Sequence, residues 1–377
     1  MPDDAKNETR SIASCASHVL LEHKSRGALS RPQGRFEREQ RTPFDDGWTR
    51  DDEPPATLRT SVTEERARSI IQTNDSPDLP FDQSINPYRG CEHGCVYCYA
   101  RPSHAYLELS PGLDFESRLF AKVNAVERLR AELARPGYVP KPISLGANTD
   151  CYQPIERRYR ITRDLIELLS QCRHPLTIVT KSALVERDLD LLGPMGQAGL
   201  AKVFVSLGTL DRELARRLEP RAASPQRRLD TIRALAAAGV PVGVMVAPVV
   251  PALSDKSLEE SMGAAAAAGA SMAGYQLLRL PNELKSLFRE WLATHYPLRA
   301  EHVMSVLQQL RSGRDNDPRF GTRMTGTGNY AELLAKRFEI ACRRLGLNGE
   351  ERGGVARRAL DRSQFVPPSP GGQMRLL

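Results

Sequence analysis

A chain of 377 residues with 40% hydrophobic content has material for one large or two medium domains and a sizeable core. No apolar run approaches the roughly 18 residues of a membrane span, and the polar opening MPDDAKNETR lacks the apolar stretch of a signal peptide. Seven unevenly spaced cysteines argue against a disulfide framework and for a cytoplasmic setting without a membrane partner, while a net charge of +7 permits a nucleic-acid partner without demanding one.

Residues 1–60 are rich in Arg, Asp, Ser and Pro, and are expected to form a mostly irregular tail. Within it, residues 26–48 carry Phe36, Phe44 and Trp48, aromatics that suit docking on the body as well as a solvated tail. Residues 61–64 read as a capping box, or Thr63 with Glu64 and Glu65 as the start of a short helix. Ile70 and Ile71 then lead in extended form to NPYRGCEHGCVYCY, residues 86–99. Here Cys91, Cys95 and Cys98 make a C-x3-C-x2-C loop with Tyr97 before the third cysteine, and Gly90 and Gly94 let the backbone wrap closely.

From residue 141 the pattern alternates. Strands are predicted at 84–88, 142–147, 176–180, 201–207, 240–247 and 273–280. Helices are predicted at 162–172, 185–195, 211–218, 225–238 and 258–268, with Gly239 stopping the fourth. Regular β-α alternation implies an α/β fold with a parallel sheet, closed or partly closed as a TIM-like barrel. Function in such barrels sits at the C-terminal ends of the strands, where the cysteine loop falls. Helices follow at 283–295, 299–313 and 330–345. The domain reading is a tail over 1–60, a barrel over 61–281, a helical C-terminal extension over 282–349 and a tail over 350–377.

Three thiolates in one tight loop call for a metal or a cluster. A structural zinc site usually pairs two C-x2-C knuckles. No second knuckle is present, and His93 inside the loop is awkwardly placed to share an ion with both neighbours. A [4Fe–4S] cubane held by three cysteines leaves its fourth iron open to a ligand. Both readings remain: a cluster enzyme, or a zinc-stabilised nucleic-acid-binding module without turnover.

The C-x3-C-x-aromatic-C loop followed by a (βα)6 pattern resembles the radical S-adenosylmethionine (radical SAM) superfamily. NPYRGCEHGCVYCYAR, GANTDCYQPIE, TKS and the long stretch from SLGTLDRELARRLEP to VMVAPVVPALSD are similar to its spore photoproduct lyase-like, or DNA repair photolyase-like, subgroup. The resemblance covers residues 80–280. It implies a partial (βα)6 barrel, a [4Fe–4S] cluster on Cys91, Cys95 and Cys98, and S-adenosyl-L-methionine on the open iron. It also implies reductive cleavage to a 5′-deoxyadenosyl radical, hydrogen abstraction from substrate, and a one-electron donor such as flavodoxin or ferredoxin. The subgroup points to DNA or another nucleic acid as substrate.

Tyr97 matches the aromatic near the adenine. Asn148, Thr149 and Asp150 follow the second strand, where relatives hold the methionine amino group. Lys181 follows the third strand and suits the methionine carboxylate; Ser206 ends the fourth and suits the carboxylate or ribose. Met245 on the fifth strand and Gln276 on the sixth suit the adenine pocket. For each polar residue a cap or turn contact is the competing role. Cys151 occupies the region of the non-cluster hydrogen-donor cysteine of spore photoproduct lyases, but the motif spacing places Asn148 there instead. Asp150 and Glu156 are candidates for acid–base work or for orienting Lys181 and Arg157. Arg216, Arg217 and Arg221 read as an anion clamp or a solvated helix face.

Overall fold

The computed structural model describes residues 26–37, 58–349 and 359–369. Six parallel strands stand in sequence order: β3 (Gln83–Ile85), β6 (Ile143–Leu145), β7 (Leu176–Thr180), β8 (Ala201–Ser206), β9 (Val242–Val249) and β10 (Met272–Leu277). A short β2 (Gln72–Thr73) pairs antiparallel with β3 at one edge. Among the described residues β3 and β10 do not pair, so the barrel is partial. Its strands are β-branched and buried: LTIVT and AKVFVS alternate fully buried with half-buried positions.

The covering helices are α2 (Ala125–Leu133), α3 (Glu156–Tyr159), α4 (Ile161–Gln171), α5 (Leu189–Gln197), α6 (Arg212–Leu218), α7 (Pro225–Ala237) and α8 (Leu258–Ala267). Their local signals are legible. Asp211 caps α6 by accepting from Glu213 and Leu214 amides, and Ser224 caps α7, which opens on Pro225. One main core joins these helices to the sheet through Leu145, Leu165, Ile178, Val205, Ile232 and Val244.

A second, three-stranded sheet was not foreseen. Ser61–Glu65 is strand β1, parallel to β5 (Arg118–Lys122), with β4 (Tyr88–Arg89) on the other side of β5. The expected capping box and helix start at Ser61 and Thr63 are therefore corrected to a strand. Val62 and Thr63 suit a pleat, and the partner that decides the matter lies far along the chain, after α1 (Leu113–Ser117). The expected single strand over 84–88 is split into β3 and β4. Pro87 between them has no N–H for a ladder, and its carbonyl accepts from Lys122 N. The helix expected over 185–195 begins as a 3-10 turn (Ala183–Asp188) capped by Ser182 before continuing as α5.

Beyond the barrel lie α9 (Leu284–His295), α10 (Ala300–Gln309) and α11 (Asn329–Leu345). The second is shorter than expected: the chain leaves the helix after Gln309, and Arg311 is fully buried in the turn that follows. Leu287, Phe288 and Trp291 of α9 and Val303 and Leu307 of α10 share a core with Cys95, Val96 and Tyr97. The extension thus packs on the cysteine loop itself. Residues 26–37 also dock, and Phe36 meets Tyr106 with ring centroids 5.1 Å apart. Phe44, Trp48 and Cys15 lie outside the described residues.

The two free edges of the barrel are joined by side chains. Residues 316–326 run beside β10, where Met324 O accepts from Leu277 N at 2.9 Å. From there Arg323 donates to Asp78, ahead of β3, at 2.5 Å, and Asp78 also accepts from Gly321 N at 2.7 Å. Asp78→Asn removes the charge of this largely buried seam. A loss of about 1–3 kcal/mol is expected as a lower urea midpoint at constant slope; an unchanged midpoint would show that the seam carries no stability.

Candidate functional site

The cysteine loop leaves β4 through Gly90, whose φ of 73° places it in the left-handed region. A Cβ there would lie 2.8 Å from Phe115 O, so the loop closes tightly on α1. Cys91 N donates to that same carbonyl at 2.9 Å. Tight turns follow, with Cys98 N on Cys95 O at 3.2 Å and Arg101 N on Cys98 O at 3.1 Å. Cys91 and Cys95 are buried, Cys98 is half-buried, and all three thiols are free.

Behind the loop stands Arg101, with no exposed surface. Its guanidinium donates to Cys95 O at 2.8 Å, Gly94 O at 3.1 Å, Gly112 O at 2.9 Å and Pro111 O at 3.2 Å, and it pairs with Glu116. Glu116 in turn accepts the amides of Gly27 at 2.9 Å and Ala28 at 2.8 Å. Arg26 reaches Glu116 O, at 2.7 Å, and Leu58 O, at 2.8 Å. A Cβ on Gly27 would fall 1.7 Å from Gly94 O, so backbone lies directly on backbone. Gln153 completes the frame, accepting from Glu92 N and donating to Gly90 O, both at 3.0 Å. Arg101, Glu116, Gln153 and Gly27 were not singled out from the sequence. Their only local signal was that YAR and RGAL lie close to, or are rich in, charge and glycine; their meeting is a tertiary fact.

The strand-end residues fall into two groups. Asp150 is braced: Thr180 Oγ1 and Lys181 N donate to it at 2.8 Å each, Tyr152 N at 2.9 Å, and His93 Nδ1 lies 3.3 Å away. Burial disfavours its charge, but His93 and the Lys181 amide outweigh burial and hold the carboxyl below the usual range. His93 therefore faces Asp150. Thr149 Oγ1 donates to Tyr88 O at 2.8 Å, and Ser206 Oγ to Ala247 O at 3.1 Å. Asn148 is exposed, its amide on Asn86 Oδ1 at 2.8 Å. Met245 packs on Gly274, where a Cβ would meet its sulfur at 2.6 Å, and Gln276 is half-buried at the β10 bulge.

The second group surrounds Tyr97. Its hydroxyl donates to Glu219, which pairs with Arg228, and Arg228 holds Ser206 O at 3.0 Å. Lys181 Nζ lies 5.9 Å from the Tyr97 ring centroid. Burial opposes the Lys181 charge, but Cys95, Glu219 and Asp150 raise its pKa above the ordinary lysine value. Glu219 and Arg228 are further residues that the sequence pattern did not reveal.

Other expected residues take different roles, and of these Arg221 sits against the cysteine loop itself, its N donating to His93 O at 3.3 Å. Glu156 is fully buried; it accepts from Tyr88, from Thr162 N at 3.0 Å and from Arg187 at 2.7 Å, so it caps α4 and pairs with Arg187 instead of Arg157. Cys151 has no exposed surface and packs in the main core, where burial pushes its thiol up. Arg217 pairs with Glu213 and Arg221 with Glu92, while Arg216 is exposed beside a cavity of about 450 Å³ that Glu219 also lines.

Residues 85–265 match the radical SAM superfamily. An uncharacterised protein of Mycobacterium tuberculosis (strain H37Rv) is 38% identical over 276 residues, 73% of this chain and 77% of the relative. The chain belongs to the radical SAM superfamily. An uncharacterised protein of Methanocaldococcus jannaschii is 28% identical over 190 residues, 50% of this chain and 68% of the relative. Spore photoproduct lyase complexed with dinucleoside spore photoproduct has a similar fold, with TM-score 0.55 and 18% identity over 76% of this chain and 80% of that one. A variant of that lyase with bound AdoMet and dinucleoside spore photoproduct superposes equally well, at 0.55 and 19% identity over the same shares.

Membership makes this chain a radical SAM enzyme whose cofactors are a [4Fe–4S] cluster and S-adenosylmethionine. The donor set fits. Burial pushes the Cys95 thiol up to about 12 and the Cys91 thiol well above its ordinary value, so thiolates here require a bound cation. Among the described residues no group of three or more His, Cys, Asp and Glu side chains is arranged to share a single metal ion. A cubane gives each thiolate its own iron, and three cysteine thiols on one loop can supply one thiolate to each of three irons. Also among the described residues, no helix is long and apolar enough to cross a membrane.

Glu116→Gln leaves Arg101 buried without its counter-charge. Folding stability is expected to fall by about 3–5 kcal/mol, with less iron retained per chain after anaerobic reconstitution. Wild-type iron content and unfolding midpoint in this variant would show that the loop does not depend on the pair.

Proposed function

We propose that Cys91, Cys95 and Cys98 hold the cluster and that the enzyme uses S-adenosylmethionine to remove a hydrogen from a nucleic-acid substrate. The observation that carries the reading is the three-thiol loop at the C-terminal mouth of the parallel strands. When bound, the cluster and S-adenosylmethionine supply a 5′-deoxyadenosyl radical after one electron from a donor such as flavodoxin or ferredoxin.

The chain's own residues position and seal. Lys181, charged and beside Tyr97, is the cation placed for the methionine carboxylate. Asn148, exposed after β6, leaves its side chain available at the mouth, while Asp150 and Thr149 set the backbone there. Tyr97, fixed through Glu219, presents its ring to the cofactor side, and Met245 and Gln276 line the adenine pocket. Ser206 serves through its carbonyl, which Arg228 holds, and through the Ala247 contact. Cys151, being fully buried, has a packing role. The α9–α10 core against Cys95 and Tyr97 excludes water from the cluster side.

Three features support a nucleic-acid substrate. The chain carries a net charge of +7. Its fold is shared with a lyase solved with a dinucleoside photoproduct. Phe36 and Tyr106 are 47% and 70% exposed, with Arg35 5.5 and 5.9 Å from their ring centroids, a surface suited to stacking bases.

Anaerobic reconstitution is expected to give about four irons per chain, and dithionite with S-adenosylmethionine to give 5′-deoxyadenosine. Cys95→Ala is expected to abolish both, and a fully loaded Cys95→Ala cluster would overturn the ligand assignment. Oligonucleotide binding by the holoprotein is expected to weaken steeply with salt; no binding at low ionic strength would remove the nucleic-acid substrate while leaving the cofactor chemistry standing.

A further inference from the structure

The seam between the barrel edges holds more positive than negative charge. Arg279 follows β10, Arg311 follows α10, and Arg323 lies on the segment beside β10. Asp78 is the carboxylate at this seam, and Arg323 has taken it at 2.5 Å. Asp317, on the segment beside β10, pairs with Arg319 at 2.7 Å. The terminal nitrogens of Arg311 donate to carbonyls, at 2.7 Å to Arg323, 2.8 Å to Leu278 and 3.1 Å to Thr322, while its Nε is buried without a partner. It is a structural arginine that ties the segment to β10.

Arg279 is different. Among the described residues its one hydrogen-bond acceptor is the Met324 thioether, 3.5 Å from a terminal nitrogen, and its Nε is buried without a partner. A thioether is a weak acceptor. One terminal nitrogen on a sulfur and a buried Nε without a partner leave this half-buried guanidinium with no carboxylate or carbonyl among the described residues, so its fork is open to an anion. Burial and the neighbouring Arg323 both depress its pKa, and burial, with Arg279 beside it, holds Arg311 down to about 10. Arg311, Arg323, Asp78 and Tyr99 are the ionisable groups that interact with it among the described residues.

The position matters as much as the charge. The Arg279 guanidinium lies 6.0 Å from the centroid of the Tyr99 ring. Tyr99 follows the last loop cysteine, and its hydroxyl donates to Ala147 O beyond β6. The arginine therefore stands at the strand mouth, one residue removed from Cys98. On the same segment Phe320 is 58% exposed, with Arg323 4.5 Å from its ring centroid.

We propose that Arg279 is an anion-binding residue of the substrate site, taking a phosphate oxyanion of a nucleotide unit in the seam beside Tyr99, with Phe320 as an adjoining stacking face. The subsite rests on the nucleic-acid reading and narrows it to contact through phosphate. A planar guanidinium fork matches two phosphate oxygens, and phosphate contacts position a nucleic acid without reading its sequence. Because Lys181 is the cation placed for the cofactor carboxylate, Arg279 is left for the substrate.

The test uses reconstituted holoprotein and two probes, a labelled single-stranded oligothymidylate and thymidine 5′-monophosphate. Arg279→Gln is expected to weaken both by about tenfold or more, and to lower the salt slope of oligonucleotide binding by about one. Arg279→Lys should recover part of the affinity, because charge remains and the fork is lost. Arg344→Gln, on the exposed face of α11, should change neither affinity nor slope. Iron content and the urea midpoint read out any structural effect separately. If the wild type binds the monophosphate through Arg279 but not the oligonucleotide, the subsite stands and the nucleic-acid substrate falls. Equal binding by wild type and Arg279→Gln overturns the subsite and leaves the substrate class standing. The subsite is also overturned if the variant loses S-adenosylmethionine binding while keeping the oligonucleotide, or if the wild type binds neither probe.

Discussion

Arg101 and Glu116 form a charge pair sealed from water, and the geometry of the cysteine loop follows from it. A buried guanidinium must be surrounded by acceptors. The acceptors Arg101 finds are the carbonyls of the loop itself, Gly94 and Cys95, and those of the turn before α1. The carboxylate of Glu116 must likewise be surrounded by donors, and it draws in the amides of Gly27 and Ala28. Three stretches distant in sequence are thus fixed to one another by the need to satisfy two opposite charges. Thiols that burial would keep protonated are held close together on a rigid frame. A buried ion pair adds little net stability over an apolar pair; its use here is geometric.

The sequence reveals repeating and contiguous features well. The β-α alternation, the strand LTIVT and the Gly239 stop are each written within a few residues and are found where the pattern puts them. The cysteine loop is contiguous too, so its chemistry was legible. What was not legible depends on partners far away. Strand β1 is mostly exposed, and its two acidic residues mimic a helix start; only pairing with β5 decides its conformation. Arg101, Glu219 and Arg228 look like ordinary charged residues until the fold buries them. Glu156 looked like a mouth acid, yet it sits fully inside, capping a helix.

At the mouth the acids and the cations are held differently. Acids near the loop are occupied: Asp150 by amides and His93, Glu219 by Tyr97 and Arg228. Two cations, Lys181 and Arg279, stand near the loop tyrosines on either side. Fixed dipoles and cations of this kind suit a site that must receive anionic groups and exclude bulk water.

The Asp78–Arg323 contact joins residues 245 positions apart. Closing so long a loop is entropically unfavourable until most other contacts exist, and such contacts form late. The cysteine loop, Arg101, Glu116 and the strap at Gly27 all precede residue 120 and leave the ribosome first. The remaining supports of the loop, Gln153 and the α9–α10 core, and the Asp78–Arg323 wall beside it all wait for chain made later.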